Sequence, residues 1–258
     1  MSKLPKDWTT TQLRDLATKV GSGATPKGGK NAYKDSGIPL IRSMNVHFDG
    51  FRQKGLAFIN DSQAEKLRNV VVEGGDVLLN ITGASIGRVT TAPEAMAGAR
   101  VNQHVSIIRP TEALSSTYLS WFLASPEQQS FIDRIQVGAT RQALTKTMIL
   151  DFEIPVPPIP EQRRIVARIE ELFSRLDAGV AALRHAKAQL QRYRQSVLAA
   201  AVAGQLTQAW REQHPDTEPA DELLERILKQ RRKQWSGRGK NKEPMAPDTA
   251  DLPNPDIA

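Results

Sequence analysis

Residues 154–172 read IPVPPIPEQRRIVARIEEL, and within them a proline-rich connector passes into a helical pattern. Each proline fixes its own φ and lacks a backbone donor, so Val156–Pro160 is unsuited to a regular helix or sheet ladder. We therefore expect a domain to end at this connector. From Glu161 onward the pattern changes to one that is typical of a long helix.

An apolar seam runs through the residues that follow Glu161. Steps of four and three residues from Ile165 meet no charged residue over five heptads, which is the pattern of a coiled coil. Gly204 then stands where a glycine ends a helix. The sequence predicts one helix of about 43 residues, or about 65 Å, and its seam needs a second long helix to cover it. The seam positions are Ile165, Ile169, Leu172, Leu176, Gly179, Leu183, Ala186, Leu190, Tyr193, Val197 and Ala200.

The residues before the connector alternate β-rich and helical stretches, with glycine, asparagine and aspartate between them. We expect strands at Ile38–Arg42, Val70–Val72, Asp76–Ile81, Val101–Arg109 and Phe152–Val156. We expect helices at Thr10–Val20, Ser116–Ser125 and Pro126–Ile135, the last with Ser125 as its N-cap. Since no βαβ period recurs, the predicted fold class is α+β: a mixed α/β domain followed by a long coiled-coil-type helix.

These patterns divide the chain into four predicted segments. Residues 1–155 form the mixed domain and residues 156–204 the long helix. Residues 205–235 form a short helical extension, with a helix at about Ala220–Trp235. Residues 236–258 are rich in proline, glycine and charge, so we expect a linker or a disordered tail there.

The composition excludes several classes of protein. The chain has 258 residues and no cysteine, which excludes disulfides, thiolate metal sites and cysteine nucleophiles. The longest apolar run, Val197–Ala203, is seven residues, whereas a membrane-spanning helix needs about 20. The first residues, MSKLPKDW, contain no apolar signal core. We expect a cytoplasmic protein that does not contact membranes.

The net charge of +7 is unevenly distributed. Residues 1–155 carry +4, residues 156–203 carry +4 and residues 204–258 carry −1. A basic excess in the first two segments favours a polyanionic partner, although many basic proteins bind none. Between Ala178 and Arg211 all five charged residues are basic. This stretch is a solvated face, a protein contact or a stripe that faces phosphates.

The usual signatures of an enzyme are missing. Residues 23–30 resemble a phosphate-binding loop, but the required first glycine is absent and no serine or threonine follows Lys30. The four histidines are scattered, which argues against a zinc site. Ser85 has the spacing of a hydrolase nucleophile, Gly-x-Ser-x-Gly, yet the strand–helix alternation of that fold is lacking. We therefore predict no catalytic residue and no metal ligand, and a serine hydrolase remains the third interpretation.

An ordered set of motifs resembles one known family. The motifs are GSGATP (21–26), GIPLIR (37–42), GDVLL (75–79), TGASIGR (82–88), VNQH (101–104), GATRQ (138–142) and the stretch 154–172. Together they resemble the specificity subunit of type I restriction–modification systems over about residues 4–235. The resemblance implies a non-catalytic subunit that recognises DNA and docks two methyltransferase subunits. It also implies that those subunits bind S-adenosylmethionine and methylate adenine, that this chain holds no cofactor, and that a separate restriction subunit cuts DNA.

The resemblance covers one half of the family's usual subunit. That subunit has two recognition domains, each followed by a long helix, and the two helices pack antiparallel. The chain is thus either a natural half-subunit or an N-terminal fragment, and both interpretations stay open. A half-subunit is expected to form a homodimer through the long helix. The rival hypothesis is a coiled-coil adaptor whose globular head binds protein.

Side chains with paired donors and acceptors read base edges, and lysines reach phosphates. Motif residues that a whole family shares can instead shape the loops. The candidate DNA contacts in loops of the first domain are Lys27, Lys30, Arg42, Asn45, Lys54, Arg88, Asn102, Gln103, His104, Arg141 and Gln142.

Overall fold

The computed structural model describes residues 4–28, 32–136 and 143–235. The chain divides into two compact units, residues 1–179 and 180–258. The predicted α+β class is confirmed: short strands and helices precede one long helix. The division into four segments stays a prediction.

The first unit contains all the strands among the described residues. They are β1 (Thr9–Gln12), β2 (Ala17–Ser22), β3 (Ile38–Ile41), β4 (Val46–His47), β5 (Gly50–Phe51), β6 (Ala57–Ile59), β7 (Val77–Asn80), β8 (Val89–Thr91), β9 (Arg100–Val101), β10 (Val105–Pro110) and β11 (Glu153–Val156). The helices of the described residues are α1 (Leu13–Leu16), α2 (Asp61–Glu65), α3 (Ser116–Ala124), α4 (Pro126–Gln136), α5 (Lys146–Leu150), α6 (Ile159–Val202), α7 (Gln208–Gln213) and α8 (Ala220–Gln234).

Two small sheets form the centre of the first unit. The larger is antiparallel, with strand order β2-β10-β7-β8. The smaller has the order β6-β3-β9, in which β3 and β9 run parallel. Strand β7 is buried on both sides: Leu79 packs into the core beneath α3 and α4, and Leu78 packs into the core of the smaller sheet. A continuous apolar strand is what burial on both faces requires.

Arg109 of β10 fixes the start of β7. Its Nε and Nη2 donate to the two carboxylate oxygens of Asp76, at 2.7 and 2.8 Å. Asp76 is 2% exposed, and its hydrogen bond to Arg109 raises the pKa of the guanidinium. A bidentate pair of this kind is directional as well as strong, so it sets the direction in which β7 leaves the turn.

The beginning of α6 belongs to the first unit. Gln162 is fully buried, and its amide donates to the backbone oxygens of Ala113 and Pro157 and accepts from the Ser115 N–H. Ile165 and Val166 pack against the core beneath α3. These contacts orient the first turns of the helix relative to the sheets.

Three sequence predictions of local structure are wrong. Instead of a helix over Thr10–Val20, the chain forms β1, the short α1 and β2, because β1 pairs with β11 and β2 with β10. The stretch Val70–Val72 is the end of a 3₁₀ turn with one bridge rather than a strand. A turn at 102–104 divides the strand expected over Val101–Arg109 into β9 and β10. In each case a tertiary pairing overrides the local preference.

The other predicted helices agree with the structure, although the connector is shorter than predicted, since Val156 ends β11 and α6 begins at Ile159. Helices α3 and α4 lie where expected, and the Ser125 hydroxyl accepts from the Gln128 N–H as a cap. Helix α6 is uninterrupted from Ile159 to Val202, and Gly204 adopts the left-handed φ of +73° that ends it. Helix α8 matches the predicted tail helix within one residue.

The second unit contains the end of α6, the short α7 and the amphipathic α8 among its described residues. Trp210 and His214 of this unit stack with ring centroids 4.6 Å apart. Leu223, Leu224 and Ile227 of α8 are each about two-fifths exposed. Across the described ranges, no helix is long and apolar enough to span a membrane.

Candidate nucleic-acid interface

Strand direction brings several loops to one edge of the larger sheet. Strands β2 and β7 both run antiparallel to β10, with Ser22 opposite Ser106 and Asn80 opposite Val105. The loops that leave β2 and β7 therefore meet the turn that enters β10. These segments are residues 23–28, 81–88 and 102–104.

The smaller sheet sends its loops to the same place. Because β3 and β9 are parallel, Arg42 and Asn102 follow their strands at one edge, and the Asn102 N–H donates to the oxygen of Ile41 at 3.1 Å. The Gly23 N–H donates to the oxygen of Asn102 at 3.1 Å. A Cβ on Gly23 would lie 1.8 Å from the oxygen of Val101, so only glycine permits this approach of the two sheets' loops. We call the joined surface of residues 23–28, 42–45, 53–55, 81–88 and 102–104 the loop edge.

Four polar side chains form a chain of contacts across the loop edge. Thr25 donates to Gln103 Oε1, and Gln103 Nε2 lies 3.0 Å from His104 Nε2. His104 Nδ1 contacts the hydroxyl of Thr82. The Gln103 amide thus lies between the Thr25 hydroxyl and the His104 ring, and the same ring contacts Thr82. These contacts hold the exposed Gln103 amide in one orientation. A side chain that presents a donor and an acceptor to a base needs such a fixed orientation.

Asn45 shapes the loop that follows β3. It is fully buried; its Oδ1 accepts from the Arg42 N–H at 3.0 Å, and its Nδ2 donates to the oxygen of Arg52 at 2.8 Å. Asn102 is 4% exposed and its Oδ1 accepts from the His104 N–H. The structure thus favours a loop-shaping role for both asparagines over the base contacts that we expected, because neither amide reaches the surface.

Arg42 is half-buried and engaged within its own domain. Its guanidinium lies 5.1 Å from the ring centroid of Tyr33 and donates to the oxygen of Gly55. Such stacking and hydrogen bonding lower the freedom of the side chain. Arg42 therefore supports the loop edge, and a DNA contact by this residue stays a prediction.

Three cations of the loop edge have no side-chain partner among the described residues. Lys27 and Lys54 are exposed and Arg88 is half-buried; no ion pair of the described chain includes them, whereas Arg52 and Arg68 pair with Asp49 and Glu65. Cations without a bound carboxylate remain available to phosphate oxygens. The loop edge accordingly combines positive charge with a held amide.

Three further candidates, Lys30, Arg141 and Gln142, lie outside the described residues. Ser85 lies on the loop edge, but its Oγ contacts Asn80 Nδ2 at 3.2 Å. Within the described chain, no hydrogen bond joins Ser85 to a histidine or a carboxylate. A serine hydrolase through Ser85 finds no support in this arrangement.

Three residues that organise the loop edge, Thr25, Thr82 and Asn80, are not among the predicted contacts. The threonines stand within the motifs GSGATP and TGASIGR. The sequence signal for the two threonines was a hydroxyl side chain within a glycine-rich turn, because side-chain hydrogen bonds stabilise such turns. The signal for Asn80 was weaker: it is a polar residue at the end of an apolar strand.

The seam of α6 is uncovered over most of its length in the single chain. Ile165 and Ile169 are half-buried, and Ile165 packs against the core of the first unit. In contrast Leu176, Leu183, Leu190 and Tyr193 are 59%, 73%, 68% and 69% exposed. Exposed apolar side chains in such a row mark an interaction surface.

Comparison with known proteins gives one family. The model of the type I restriction modification DNA specificity domain matches residues 5–183. The EcoBI specificity subunit of Escherichia coli is 30% identical over 241 residues, which are 88% of this chain and 49% of that protein. The EcoKI specificity subunit of Escherichia coli K12 is 25% identical over 225 residues, 83% and 46% of the two chains. The chain thus spans about half the length of these relatives.

Solved structures show the same fold. A chain from a structural study of assembly and conformational transition in the type I R-M system aligns with a TM-score of 0.59 and 22% identity, covering 78% of this chain and 47% of that one. The HsdS subunit of Thermoanaerobacter tengcongensis aligns with a TM-score of 0.54 and 23% identity, covering 78% and 46%. From the match over residues 5–183, the chain belongs to the family of the type I restriction modification DNA specificity domain.

Proposed function

We propose that this chain recognises one half of a bipartite DNA target for a type I restriction–modification complex. The observation that carries the proposal is the loop edge, where both sheets direct their loops and where Lys27, Lys54 and Arg88 have no carboxylate partner among the described residues. Phosphate contacts by such cations provide affinity, and the held Gln103 amide offers a donor and an acceptor to a base.

The chain has no catalytic role in this proposal. Its relatives are specificity subunits, and catalysis belongs to partner methyltransferase subunits that bind S-adenosylmethionine and to a restriction subunit that joins through the complex. This chain contributes the DNA contacts and a surface for the methyltransferase. It works in the compartment that holds the DNA, the cytoplasm.

Binding to mixed-sequence duplex DNA at a series of salt concentrations tests the proposal. The observed association constant of a DNA-binding protein falls steeply with salt, because each phosphate contact releases a counterion. We expect such a slope for the full chain by fluorescence anisotropy. A protein that binds no duplex at 50 mM salt would instead favour the adaptor hypothesis, in which the globular head binds protein.

We further propose that two copies pair through α6 in antiparallel orientation. The exposed seam needs a cover, and the described second unit offers no other helix longer than α8 with 15 residues. The distribution of charge supports the antiparallel arrangement. Residues 159–177 carry four arginines and four carboxylates, whereas residues 178–202 carry four basic residues and no carboxylate. A parallel pair would place the two basic halves side by side, and an antiparallel pair separates them.

Antiparallel pairing determines the form of the target. Two-fold symmetry makes the two contacts identical, so each copy would read one half-site and the two half-sites would be inverted repeats. Half-sites about 34 Å apart would face the same side of the duplex. Gly179 and Ala186 near the middle of the seam would let the helix backbones approach.

A further inference from the structure

An acidic, aromatic groove lies beside the seam in the first unit. It has a volume of about 960 Å³ and is formed by the β4–β5 turn, β8, α3 and the first turns of α6. Trp121 of α3 and Phe173 of α6 face each other there, with ring centroids 5.3 Å apart. Phe48 at the rim is 45% exposed.

The charge of the groove has one sign. Asp49, Glu170 and Asp177 line it, and no lysine, arginine or histidine is found among its described lining residues. The hydrogen bond from Arg52 lowers the pKa of Asp49 and keeps this carboxyl ionised. Glu170 and Asp177 have no ion-pair partner among the described residues, because Arg168 and Arg175 both pair with Glu171. Such a groove repels phosphates and attracts a cationic side chain.

The heptad positions identify a cation that would reach the groove. The residues that follow Ile169 and the seam leucines 176, 183 and 190 by four form one flank of α6: Phe173, Val180, Lys187 and Arg194. In an antiparallel pair with a two-fold axis, this flank of one helix lies against the same flank of the other. The midpoint of the seam lies near Leu183, and Phe173 and Arg194 are about equally far from it on either side. Full overlap of the two seams therefore brings them together across the pair, and Val180 meets Lys187 likewise.

We propose that the groove receives Arg194 of a second copy of this chain. Its guanidinium would lie against the rings of Trp121 and Phe173 and pair with Glu170, one turn earlier on the helix. Lys187 of the second copy would lie near Asp177. This inference rests on the antiparallel homodimer proposed above. It adds a direct contact between the recognition domain of one copy and helix α6 of the other. This contact specifies the register of the two α6 helices and hence the spacing of the two recognition domains.

Charge reversal in the dimer tests this contact. Sedimentation equilibrium of Glu170→Lys/Asp177→Lys and of Lys187→Glu/Arg194→Glu should each show a dimer dissociation constant raised at least about tenfold, as close interfacial charge pairs do. Combining all four substitutions should restore the constant to within about threefold of the wild type. All four side chains are exposed, so the substitutions leave the monomer folded.

The matched control is Arg184→Glu/Arg192→Glu, which reverses the same charge on the same part of α6 but away from this flank. It should leave the dissociation constant within about threefold of the wild type. If the control raises the dissociation constant as much, or if the combined variant does not restore it, the groove contact is wrong and the homodimer still stands. If the wild type is monomeric, the groove contact and the homodimer are both wrong, whereas the proposed DNA recognition is unaffected.

Cysteine pairs test the register directly, because the chain contains no cysteine. Val180→Cys/Lys187→Cys should give a covalent dimer on mild oxidation. Two positions seven residues apart on one helix are about 10.5 Å apart, too far for a disulfide within the chain. Arg184→Cys/Gln191→Cys has the same spacing on the outer face and should stay monomeric on a denaturing gel. Equal cross-linking of the two pairs would contradict the proposed register.

Discussion

The side chain of Asn80 joins the loops of the two sheets: its Nδ2 lies 2.9 Å from the backbone oxygen of Ser43 and donates to it. Asn80 ends β7 in the larger sheet, and Ser43 follows β3 in the smaller one. Asn80 is fully buried and Ser43 is half-buried, so the bond is partly shielded from water. It couples the position of the residue 42–45 loop to that of the residue 81–88 loop.

Replacing Asn80 by alanine should therefore affect both stability and DNA binding. The variant removes one of the two donors of the Ser43 oxygen and leaves only the Val46 N–H, which costs about 1 kcal/mol in the free energy of unfolding. Urea denaturation followed by circular dichroism measures the loss. Lys54→Ala is the control, since an exposed lysine without a partner should change stability by less than about 0.5 kcal/mol. Equal stabilities of the two variants would refute the coupling of the loops.

Removing the three unpaired cations should weaken binding to every duplex alike. Lys27→Ala/Lys54→Ala/Arg88→Ala should reduce the slope of log K against log salt by up to about 3, roughly one for each phosphate contact. Anisotropy titrations between 50 and 200 mM salt measure it.

The control for this change is Lys66→Ala. Lys66 follows α2, beyond the end of β6, and β6 is antiparallel to β3, so this lysine lies at the other edge of the smaller sheet. An unchanged slope in the triple variant, or an equal change in the control, would show that the loop edge does not bind DNA.

Tyr118 should make the fold sensitive to alkaline pH. It is 6% exposed and donates to the oxygen of Pro155 at 2.7 Å. Burial, with the nearby charge of Glu161, raises its pKa from 10.0 to about 12. Above pH 10 the phenol ionises in the unfolded chain but stays protonated in the folded one. The stability that Tyr118 contributes is thus present below pH 10 and is lost as the pH rises to about 12.

Denaturation of Tyr118→Phe at several pH values checks this expectation. At pH 8 the variant should be less stable than the wild type by about 1 kcal/mol, the value of a buried hydrogen bond. The difference in stability should close above pH 10 and reverse in sign by about pH 12, because the raised pKa of the folded chain costs the wild type more than about 1 kcal/mol there. Tyr33→Phe removes the other phenol of the first unit, keeps the ring that lies against Arg42 and should follow the wild type throughout. A difference in stability between Tyr118→Phe and the wild type that does not change with pH would contradict the raised pKa of Tyr118.

Aspartates in the seam should abolish the homodimer. Leu176→Asp/Leu183→Asp would bury charges between the two helices, at a cost that an apolar interface cannot offset. Light scattering at tens of micromolar should show a wild-type dimer and a monomeric variant that also loses cooperative binding to a paired site. Ala181→Asp/Gln195→Asp, on the outer face of α6, should remain dimeric. A dimeric seam variant would exclude the helix pair.

The purified chain should transfer no methyl group by itself. Incubation with duplex DNA and labelled S-adenosylmethionine should leave the DNA unlabelled, because the sequence contains neither a Gly-x-Gly-x-x-Gly loop between a strand and a helix nor an Asn/Asp-Pro-Pro-aromatic tetrapeptide. The same protein should show no nuclease activity. Addition of a partner methyltransferase is the positive control. Robust transfer without the partner would overturn the non-catalytic assignment.

The sequence by itself determined the parts of this protein whose signals are local. A proline connector, an unbroken heptad register and a glycine predicted the ends of α6, because helix propensity and capping act within a few residues. The ordered motifs were enough to indicate the family. The same local reasoning failed at Thr10–Val20, where β1 and β2 form only because β11 and β10 arrive from more than 80 residues away.

The tertiary structure alone decided which polar residues are available for binding. Asn45 and Asn102 have the chemistry to read adenine, yet both are buried and hold their own loops. Gln103 is presented instead, because Thr25 and His104 come to it from two other segments of the chain. Amide chemistry can be recognised in a sequence, but burial and hydrogen bonding depend on which strands pair. That pairing joins residues far apart in the chain, so no local pattern records it.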